Sequence, residues 1–247
     1  MIIKTKEQLD GIRESGKVNG EILDIVAEKI KVGMSTEDIN RIVDENTRRL
    51  GGIPAPLGYE GYPKSVCTSI NDQVCHGIPS SNVWLRDGDI INVDVTTIYH
   101  GYYADASRMF MMGTVTEARK RLVDTAYESI RVGLKEVYPG KKIGDMGYAI
   151  HQYVKGQGFS VVAEVGGHGV GVHFHEDPFV SYVSKKETGV TLTPGMVFTI
   201  EPMINMGKRH VVLDQNNWTI WTRDGSDSAQ WELTIAVTKD GYEVLAW

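Results

Sequence analysis

Two aspartates, Asp94 and Asp105, lie in a segment whose pattern predicts a β-hairpin over residues 89–111. Aliphatic and polar residues alternate from residue 91 to 96, which is typical of a strand with one buried face. With the turn at residues 100–101, the two aspartates become diagonal neighbours on one face, about 7–8 Å apart between their Cβ atoms or slightly less. Carboxylates at this spacing can bind one or two cations. The alternative interpretation is a hairpin with one solvated face.

Two glutamates interrupt apolar segments later in the chain. Glu201 lies within residues 196–204, and Glu232 lies within residues 231–237. A carboxylate in a buried strand is costly unless it is paired or bound to a metal. Each glutamate taken alone also fits a solvent-facing strand position, so their significance depends on the other donors.

A glycine-rich loop over residues 164–178 carries two histidines. Glycines flank His168, so the backbone can approach a ligand closely there, and His175 follows in the same loop. Four carboxylates and the imidazole of His168 suit a pair of Mn²⁺, Fe²⁺, Co²⁺ or Zn²⁺ ions. Two ions about 3.5–4 Å apart need bridging carboxylates, which this set can supply. The predicted metal ligands are Asp94, Asp105, His168, Glu201 and Glu232.

Helical and strand patterns predict the elements that position these side chains. Apolar spacing predicts helices over residues 6–31, 36–50, 116–137 and 143–157, and Ser35 with Asp38 is predicted to start the second helix. Strands are predicted at residues 159–163, 196–204, 218–222, 229–238 and 242–245. The order of elements repeats and divides near Gly113. We therefore expect an α+β protein with one catalytic domain over residues 1–247, built from two halves of similar plan, 1–113 and 114–247.

Composition limits the classes of function. The 247 residues have a formal net charge of −6, which argues against a dedicated nucleic-acid-binding protein. No apolar run approaches the roughly 20 residues of a membrane span, and the N-terminus lacks the apolar region of a secretory signal. We expect a cytoplasmic monomer with no membrane contact. A local basic patch leaves a transient contact with the ribosome or another anionic partner open.

The motifs around the predicted ligands resemble those of the type I methionine aminopeptidases of the bacterial kind, a group of the pita-bread metallopeptidases. The matching segments are KSVCTSIND (64–72), VCHGIP (74–79), DIINVDVT (89–96), GYYADASRMF (101–110), GHGVG (167–171), FHEDP (174–178), PGMVFTIEPMI (194–204) and SAQWE (228–232). The resemblance covers nearly the whole chain. It implies two pseudo-symmetric α+β halves around a central cleft with two metal ions. It also implies hydrolytic removal of the N-terminal methionine from nascent proteins and peptides whose second residue is small.

The resemblance implies a role for each ligand. Asp94 would chelate one ion, Asp105 and Glu232 would bridge both, and His168 and Glu201 would complete the second site. A water or hydroxide that bridges the ions would attack the scissile carbonyl, and Glu201 would accept and later return its proton. The other cleft residues implied are His175, which contacts the peptide and stabilises the tetrahedral intermediate, and His76, which lines the cleft. A turn-capping role is the alternative for His76.

The resemblance also implies two further binding sites. A narrow apolar pocket suits the unbranched thioether of methionine. Its implied lining residues, each of which also fits ordinary packing, are Tyr59, Tyr62, Cys67, Phe174 and Trp218. The loops around Asn71 and Ser228 resemble the site of a monovalent cation, Na⁺ or K⁺.

Four positions depart from the family pattern, and two other functions stay open. The departures are Val165, His173, Tyr182 and Leu233, and they bear on turnover and substrate range more than on metal binding. One alternative is an Xaa-Pro aminopeptidase or prolidase, which shares the ligands but normally carries a large N-terminal domain. The other is a binding module that kept the fold and lost catalysis. A specialised aminopeptidase that acts on unusual N-termini is harder to separate from the first interpretation.

Overall fold

The structure is a computed structural model and describes residues 3–247. The helices are α1 Lys6–Lys29, α2 Thr36–Arg49, α3 Glu117–Leu134 and α4 Ile143–Gly156, with a 3₁₀ turn at Tyr59–Gly61. All four predicted helices are confirmed. Ser35 caps α2 as predicted, because its hydroxyl accepts from the backbone of Asp38 while the Asp38 carboxylate accepts from the backbone of Ser35. Within residues 3–247, no helix is both long and apolar enough to span a bilayer.

The strands form two larger and two smaller sheets. They are β1 Ile53–Pro54, β2 Cys67–Ile70, β3 Gln73–Cys75, β4 Ile90–Tyr99, β5 Tyr102–Met111, β6 Ser160–Val161, β7 Gly167–Gly169, β8 Glu176–Val180, β9 Val197–Ile200, β10 Met203–Asn205, β11 Val211–Leu213, β12 Ile220–Thr222, β13 Ser228–Gln230, β14 Leu233–Val237 and β15 Tyr242–Ala246. The first sheet has the order β1-β4-β2 with β5 also on β4, and the second has the order β15-β14-β9-β7-β8. The smaller sheets are β13-β10-β6 and β11-β12-β3.

The hairpin of β4 and β5 has the predicted register. Asp94 lies opposite Ser107, and Asp105 lies opposite Thr96. The turn residues His100 and Gly101 have φ values of 49° and 85°, which suits the tight two-residue turns that join antiparallel strands. The two aspartates therefore share one face of the hairpin.

The predictions of single strands over residues 196–204 and 229–238 are wrong. Each segment is broken in the middle, at Glu201-Pro202 in one and at Trp231-Glu232 in the other. On one side of the breaks β9 pairs with β14, and on the other side β10 pairs with β13. Both segments therefore leave one sheet and enter another at neighbouring positions. Proline has no backbone N–H to donate to a ladder, which favours the break beside Glu201. The sequence showed interruptions at Glu201-Pro202 and at Glu232, but the change of sheet at each one depends on strand pairing.

The two pairs of helices pack on different sheets. α1 packs on β4 and β5, and α2 packs on α1 and on β1 of the same sheet, around a core that includes Ile22, Ile39 and Val93. α3 and α4 pack mainly on the smaller sheet of β13, β10 and β6, in a core that includes Phe198 and Ile235. The two parts interlock, because β3 joins the sheet of β11 and β12, and α1 also packs on β15. The result is the α+β architecture expected from the order of elements.

One bridge joins the hairpin to a strand break. The backbone of Ser107 in β5 donates to the carbonyl of Glu232 over 3.3 Å, and the backbone of Glu232 donates back over 3.1 Å. The face of the hairpin that carries the aspartates is thereby held against the breaks that carry the glutamates.

Candidate metal centre and its cleft

The five predicted ligands come from separate elements and line one cleft of about 380 Å³. Asp94 and Asp105 are supplied by β4 and β5, and His168 is supplied by β7. Glu201 and Glu232 lie at the two strand breaks, where the backbone leaves the regular ladder. The structure therefore brings together residues that lie up to 138 positions apart in the chain, as the spacing between Asp94 and Glu232 shows.

The donor atoms are close enough to share a cation. Nε2 of His168 lies 3.7 Å from Oδ2 of Asp105 and 3.7 Å from Oε1 of Glu201. Donor atoms of Asp105, His168 and Glu232 all lie within 4.8 Å of one another, and no second group this compact occurs within residues 3–247. Nitrogen and oxygen ligands bind such ions at about 2.0–2.2 Å, so two that share an ion lie about 3–4 Å apart.

The imidazole of His168 is oriented as a ligand. Its Nδ1 lies 2.9 Å from the carbonyl oxygen of Gly169, so Nδ1 carries the hydrogen and donates it. This leaves the lone pair of Nε2 facing Asp105 and Glu201. Burial lowers the pKa of His168 to about 3, which keeps the ring neutral and able to bind a metal.

The four carboxylates form one acidic cluster in the cleft. Burial raises the pKa of Asp94 to about 7 and that of Glu201 to about 8, and it also raises the pKa of Asp105 and of Glu232, which repel their acidic neighbours. Among residues 3–247, no lysine or arginine forms an ion pair with any of the four. A cluster of acids in this state fits bound divalent cations, which replace the protons that the carboxylates would otherwise hold.

Supporting hydrogen bonds fix the orientation of Glu201. The hydroxyl of Thr199 donates to Oε1 over 2.6 Å, and the amide of Gln230 donates to Oε2 over 3.3 Å. The backbone N–H of Glu201 donates to the hydroxyl of Tyr182 over 2.8 Å. Partners of this kind hold ligating carboxylates in place. Sequence reasoning missed these roles, although the position of Thr199, two residues before Glu201 on a strand, is a usable signal.

Asp105 is supported in the same way. Thr96 lies opposite it on the hairpin and donates to Oδ1 over 2.8 Å, and the hydroxyl of Thr234 donates to the Asp105 carbonyl over 2.7 Å. The predicted hairpin register already placed Thr96 across from Asp105. The Thr234 contact comes from β14 and depends on how the two sheets meet.

Two further histidines line the cleft at the positions that the sequence predicted. Nδ1 of His175 lies 2.9 Å from the hydroxyl of Tyr59, and its ring centroid lies 4.2 Å from that of His168. Burial is the main cause that lowers the pKa of His175, and burial together with His175 lowers the pKa of His76 to about 4. Both rings are therefore neutral near pH 7 and can donate a hydrogen bond into the cleft.

The predicted methionine pocket lies beside the carboxylates. Its five predicted residues all line the cleft: Tyr59, Tyr62, Cys67, Phe174 and Trp218. The ring of Tyr59 lies 4.7 Å from that of Phe174, and the ring of Tyr62 lies 5.1 Å from that of Trp218. Cys67 is directly opposite Asp94 on β2, and burial raises the pKa of its thiol, so it lines the pocket as a small neutral group.

The residues of the predicted monovalent cation site lie together outside the cleft. The backbone of Ser228 donates to the carbonyl of Asn71 over 2.8 Å, and the side chain of Asn71 binds Asp89 and the backbone of Ile90. The hydroxyl of Ser228 donates to the side chain of Asn205 over 2.9 Å. These contacts explain the local structure, and the cation itself stays a prediction.

The four departures from the family pattern have different surroundings. Val165 lines the cleft, whereas the side chain of His173 is exposed. Leu233 is buried in a core and lies opposite Ile200, so it contributes packing at the strand break. Tyr182 is buried and accepts the hydrogen bond from Glu201.

Comparisons with known proteins agree with the geometry. The model of metallopeptidase family M24 matches residues 10–239. A methionine aminopeptidase A of Synechocystis is 46% identical over 241 residues, which cover 98% of this chain and 95% of that protein. The crystal structure of a methionine aminopeptidase from Rickettsia prowazekii superposes with a TM-score of 0.98 at 44% identity and covers 100% of both chains.

A more distant likeness shows how widely the fold is shared. A prolidase from Pyrococcus furiosus matches with a TM-score of 0.80 at 21% identity and covers 100% of this chain and 65% of that one. At this identity the likeness shows the fold alone. The predicted pita-bread fold and the predicted family are both confirmed: the chain belongs to metallopeptidase family M24, in the group of the methionine aminopeptidases.

Proposed function

We propose that this protein is a methionyl aminopeptidase that uses two divalent metal ions to remove the N-terminal methionine from peptides and nascent proteins with a small second residue. The observation that carries the proposal is the convergence of four carboxylates, three of them buried, and one oriented imidazole beside an apolar aromatic pocket. The donor set suits Mn²⁺, Fe²⁺, Co²⁺ or Zn²⁺. Bound ions would supply Lewis-acid activation of a water molecule and of the scissile carbonyl.

The residues of the chain supply binding, orientation and proton transfer. Asp94, Asp105, His168, Glu201 and Glu232 would hold the ions. Asp94 would also attract the free amine of the substrate, since it lies at the same end of the cleft as Cys67 of the methionine pocket. Glu201 would accept the proton of the attacking water and transfer it to the leaving amine. Hydrogen bonds from Thr199 and Gln230 to its two oxygens would hold the carboxylate in a fixed orientation for this transfer.

Two neutral histidines would act on the peptide. His175 is exposed to the cleft and oriented by Tyr59, so it would donate a hydrogen bond to the oxygen that gains negative charge. His76 lines the same cleft near Trp218 and would contact the substrate backbone. We further infer a cytoplasmic monomer, for which a transient contact with the ribosome would bring the cleft to nascent chains.

The test is release of methionine from Met-Ala-Ser by protein purified without air and supplied with Mn²⁺, Co²⁺ or Fe²⁺ in turn. Met-Leu-Ser tests the size limit at the second residue, Ala-Ala-Ser tests the methionine pocket, and Ala-Pro-Ala tests proline-specific cleavage. We expect metal-dependent cleavage of Met-Ala-Ser alone, and none with Glu201→Gln. Cleavage of Ala-Pro-Ala instead would move the protein to the proline-specific relatives. Protein that binds two metal ions per chain but cleaves none of these peptides would contradict the proposed activity.

A further inference from the structure

The loop at residues 171–176, here called the histidine loop, presents Phe174 and His175 to the cleft. The side chain of Glu176 binds two backbone N–H groups of this loop. Oε1 of Glu176 accepts the backbone N–H of Val172 over 2.8 Å and that of His173 over 2.9 Å. The path of the loop, and with it the position of His175, therefore depends on the Glu176 carboxylate.

The other oxygen of this carboxylate binds Lys4, from the segment before α1. The Lys4 side chain is 0% exposed and that of Glu176 is 3% exposed. The backbone of Lys4 is held separately, because its N–H donates to the carbonyl of Gly195 over 2.8 Å. The charged end of Lys4 is thus buried directly beneath the histidine loop.

The packing around Lys4 leaves little freedom to the loop. Gly171 begins the loop with a φ of 127°, and a Cβ atom there would lie 2.3 Å from Ile12 and 3.3 Å from Cε of Lys4. Only glycine fits this conformation at such close approach. The loop therefore starts in contact with the lysine that it later binds through Glu176.

A buried lysine is costly unless its charge is compensated. Burial lowers the pKa of Lys4, and the hydrogen bond from Lys4 to Glu176 opposes that change. Removal of one partner from such a pair leaves the other charge buried and unpaired, which is far more disruptive than loss of an exposed pair. The neighbouring pair of Lys6 and Asp10 shows the contrast, since the Lys6 side chain is 93% exposed.

We propose that Lys4 is a positioning residue for the catalytic cleft. Its side-chain nitrogen binds the carboxylate of Glu176, and that carboxylate fixes the loop that presents Phe174 and His175. The assignment rests on the proposed function, because it gives His175 its role. Lys4 itself does not line the cleft and acts only through Glu176.

The arrangement predicts a specific kinetic effect. Without Lys4 the loop keeps the contacts of Phe174 and His175 with Tyr59, but the Glu176 carboxylate that anchors it is left buried without its cationic partner. A displacement of about 1 Å in a group that acts in the transition state can reduce the rate by about 10²-fold. We therefore expect a lower kcat with KM little changed. Affinity for Mn²⁺ should persist, since none of the five predicted ligands lies within residues 171–176.

The experiment compares Lys4→Met with Lys6→Met, a matched control that removes an exposed lysine two residues further along, at the start of α1. Each variant is assayed on Met-Ala-Ser with Mn²⁺, its Mn²⁺ affinity is measured by calorimetry, and backbone hydrogen exchange is followed in residues 171–176. For Lys4→Met we expect a kcat about 10²-fold lower and faster exchange in the histidine loop. For Lys6→Met we expect the values of the unmodified protein.

A second variant separates positioning from general stability. In Lys4→Met/Glu176→Gln no charge is buried, and the glutamine oxygen can still accept from Val172 and His173. We expect this double variant to recover part of the kcat lost in Lys4→Met. A kcat in folded Lys4→Met equal to that of Lys6→Met, unchanged exchange in the loop, or no recovery in the double variant would overturn the assignment.

The same data distinguish failure of the inference from failure of the proposed function. If the unmodified protein releases no methionine with any metal, the proposed function is wrong, and the exchange rates still decide whether Lys4 orders the loop. If the unmodified protein is active and Lys4→Met matches it in kcat and exchange, only the positioning role is wrong.

Discussion

At the scale of single residues, the cleft concentrates groups whose protonation differs from that in water. Asp94 and Glu201 have raised pKa values near 7 and 8, while His76 and His168 have lowered values near 4 and 3. Burial is the main cause in all four cases, and it disfavours the charged form of each group. Near pH 7 the histidines are neutral hydrogen-bond partners, and the acids share protons unless cations are bound.

The raised pKa values predict an unusual dependence of stability on pH in metal-free protein. A carboxyl group whose pKa is higher in the folded state stabilises the fold at low pH, and this contribution is lost as pH rises through the folded value. For Asp94 and Glu201 the loss falls between about pH 4 and about pH 8. We expect the Tm measured with a chelator to fall across this range relative to Asp94→Asn/Glu201→Gln. Added Mn²⁺ should raise the Tm most at the upper end of this pH range. If the difference in Tm between the metal-free protein and the variant did not change with pH, the argument would be refuted.

Replacement of His175 tests the proposed hydrogen bond to the developing oxyanion. We expect His175→Ala to lower kcat by about 10²–10³-fold, since loss of one such donor has an effect of that size. The bound metal, measured by elemental analysis, should be unchanged because His175 is not among the predicted ligands. His173→Ala is the matched control, as its side chain is exposed and does not line the cleft. Equal kcat values in the two variants would exclude this role for His175.

At the scale of elements, the paired strand breaks create the site. Glu201 and Glu232 lie where β9 gives way to β10 and β13 to β14, so their backbones are outside the regular ladders. The freed N–H of Glu201 donates to Tyr182, and that of Glu232 donates to Ser107 of the hairpin. Two long uninterrupted strands would have left these glutamates in the ladder, with alternate side chains on opposite faces. The breaks instead let both glutamates face the aspartates.

Tyr182→Phe tests how far the break depends on its hydroxyl partner. The substitution leaves the buried N–H of Glu201 without an acceptor, which costs about 1–3 kcal/mol in the free energy of unfolding. We expect this loss in urea unfolding of metal-free protein, together with weaker Mn²⁺ binding by calorimetry. Tyr153→Phe is the control, because Tyr153 is partly buried on α4 and does not contact the cleft. Equal stability and equal Mn²⁺ affinity in the two variants would contradict the support of Glu201 by Tyr182.

At the scale of the whole molecule, α1 links the beginning of the chain to its last strand. It packs on the hairpin of β4 and β5 and also on β15. The side chain of Asn19 on this helix donates to the carbonyls of Val95 and Ala104, one from each strand of the hairpin. Gly16 on the same helix faces β15, where the carbonyl of Leu245 would lie 1.9 Å from an added Cβ. α1 therefore packs on both the hairpin and β15, and its close approach to β15 requires glycine at position 16.

Two glycines of α1 give a matched pair of substitutions. Gly16→Ala places a methyl group against the backbone of β15, and overpacking of this kind costs about 1–3 kcal/mol in the free energy of unfolding. Gly20→Ala meets only Trp247 at 3.6 Å, so the gain in helix propensity of up to about 1 kcal/mol should prevail. We expect a lower Tm for the first and an equal or higher Tm for the second by calorimetry. If the Tm changed in the same direction in both variants, close packing of α1 on β15 would not determine the effect of the substitutions.

Most of the local structure was predictable, because it depends on neighbouring residues. The capping box of Ser35 and Asp38 and the register of the hairpin follow from short patterns in the sequence. The donor set of the cleft was predictable for a related reason: carboxylates in apolar segments and a histidine among glycines are conspicuous by residue type. The change of sheet beside Glu201 and Glu232 was not, because only the pairing of four strands reveals it.

The sequence by itself thus determined the types of elements, the hairpin that aligns Asp94 with Asp105 and the chemistry of the cleft. Tertiary structure decided which residues from distant parts of the chain support that chemistry. Tyr182 reaches Glu201 across 19 positions of the chain, and Lys4 reaches Glu176 across 172. Contacts at such separations depend on how complete sheets and helices pack, and no periodicity or turn signal in the sequence encodes that packing.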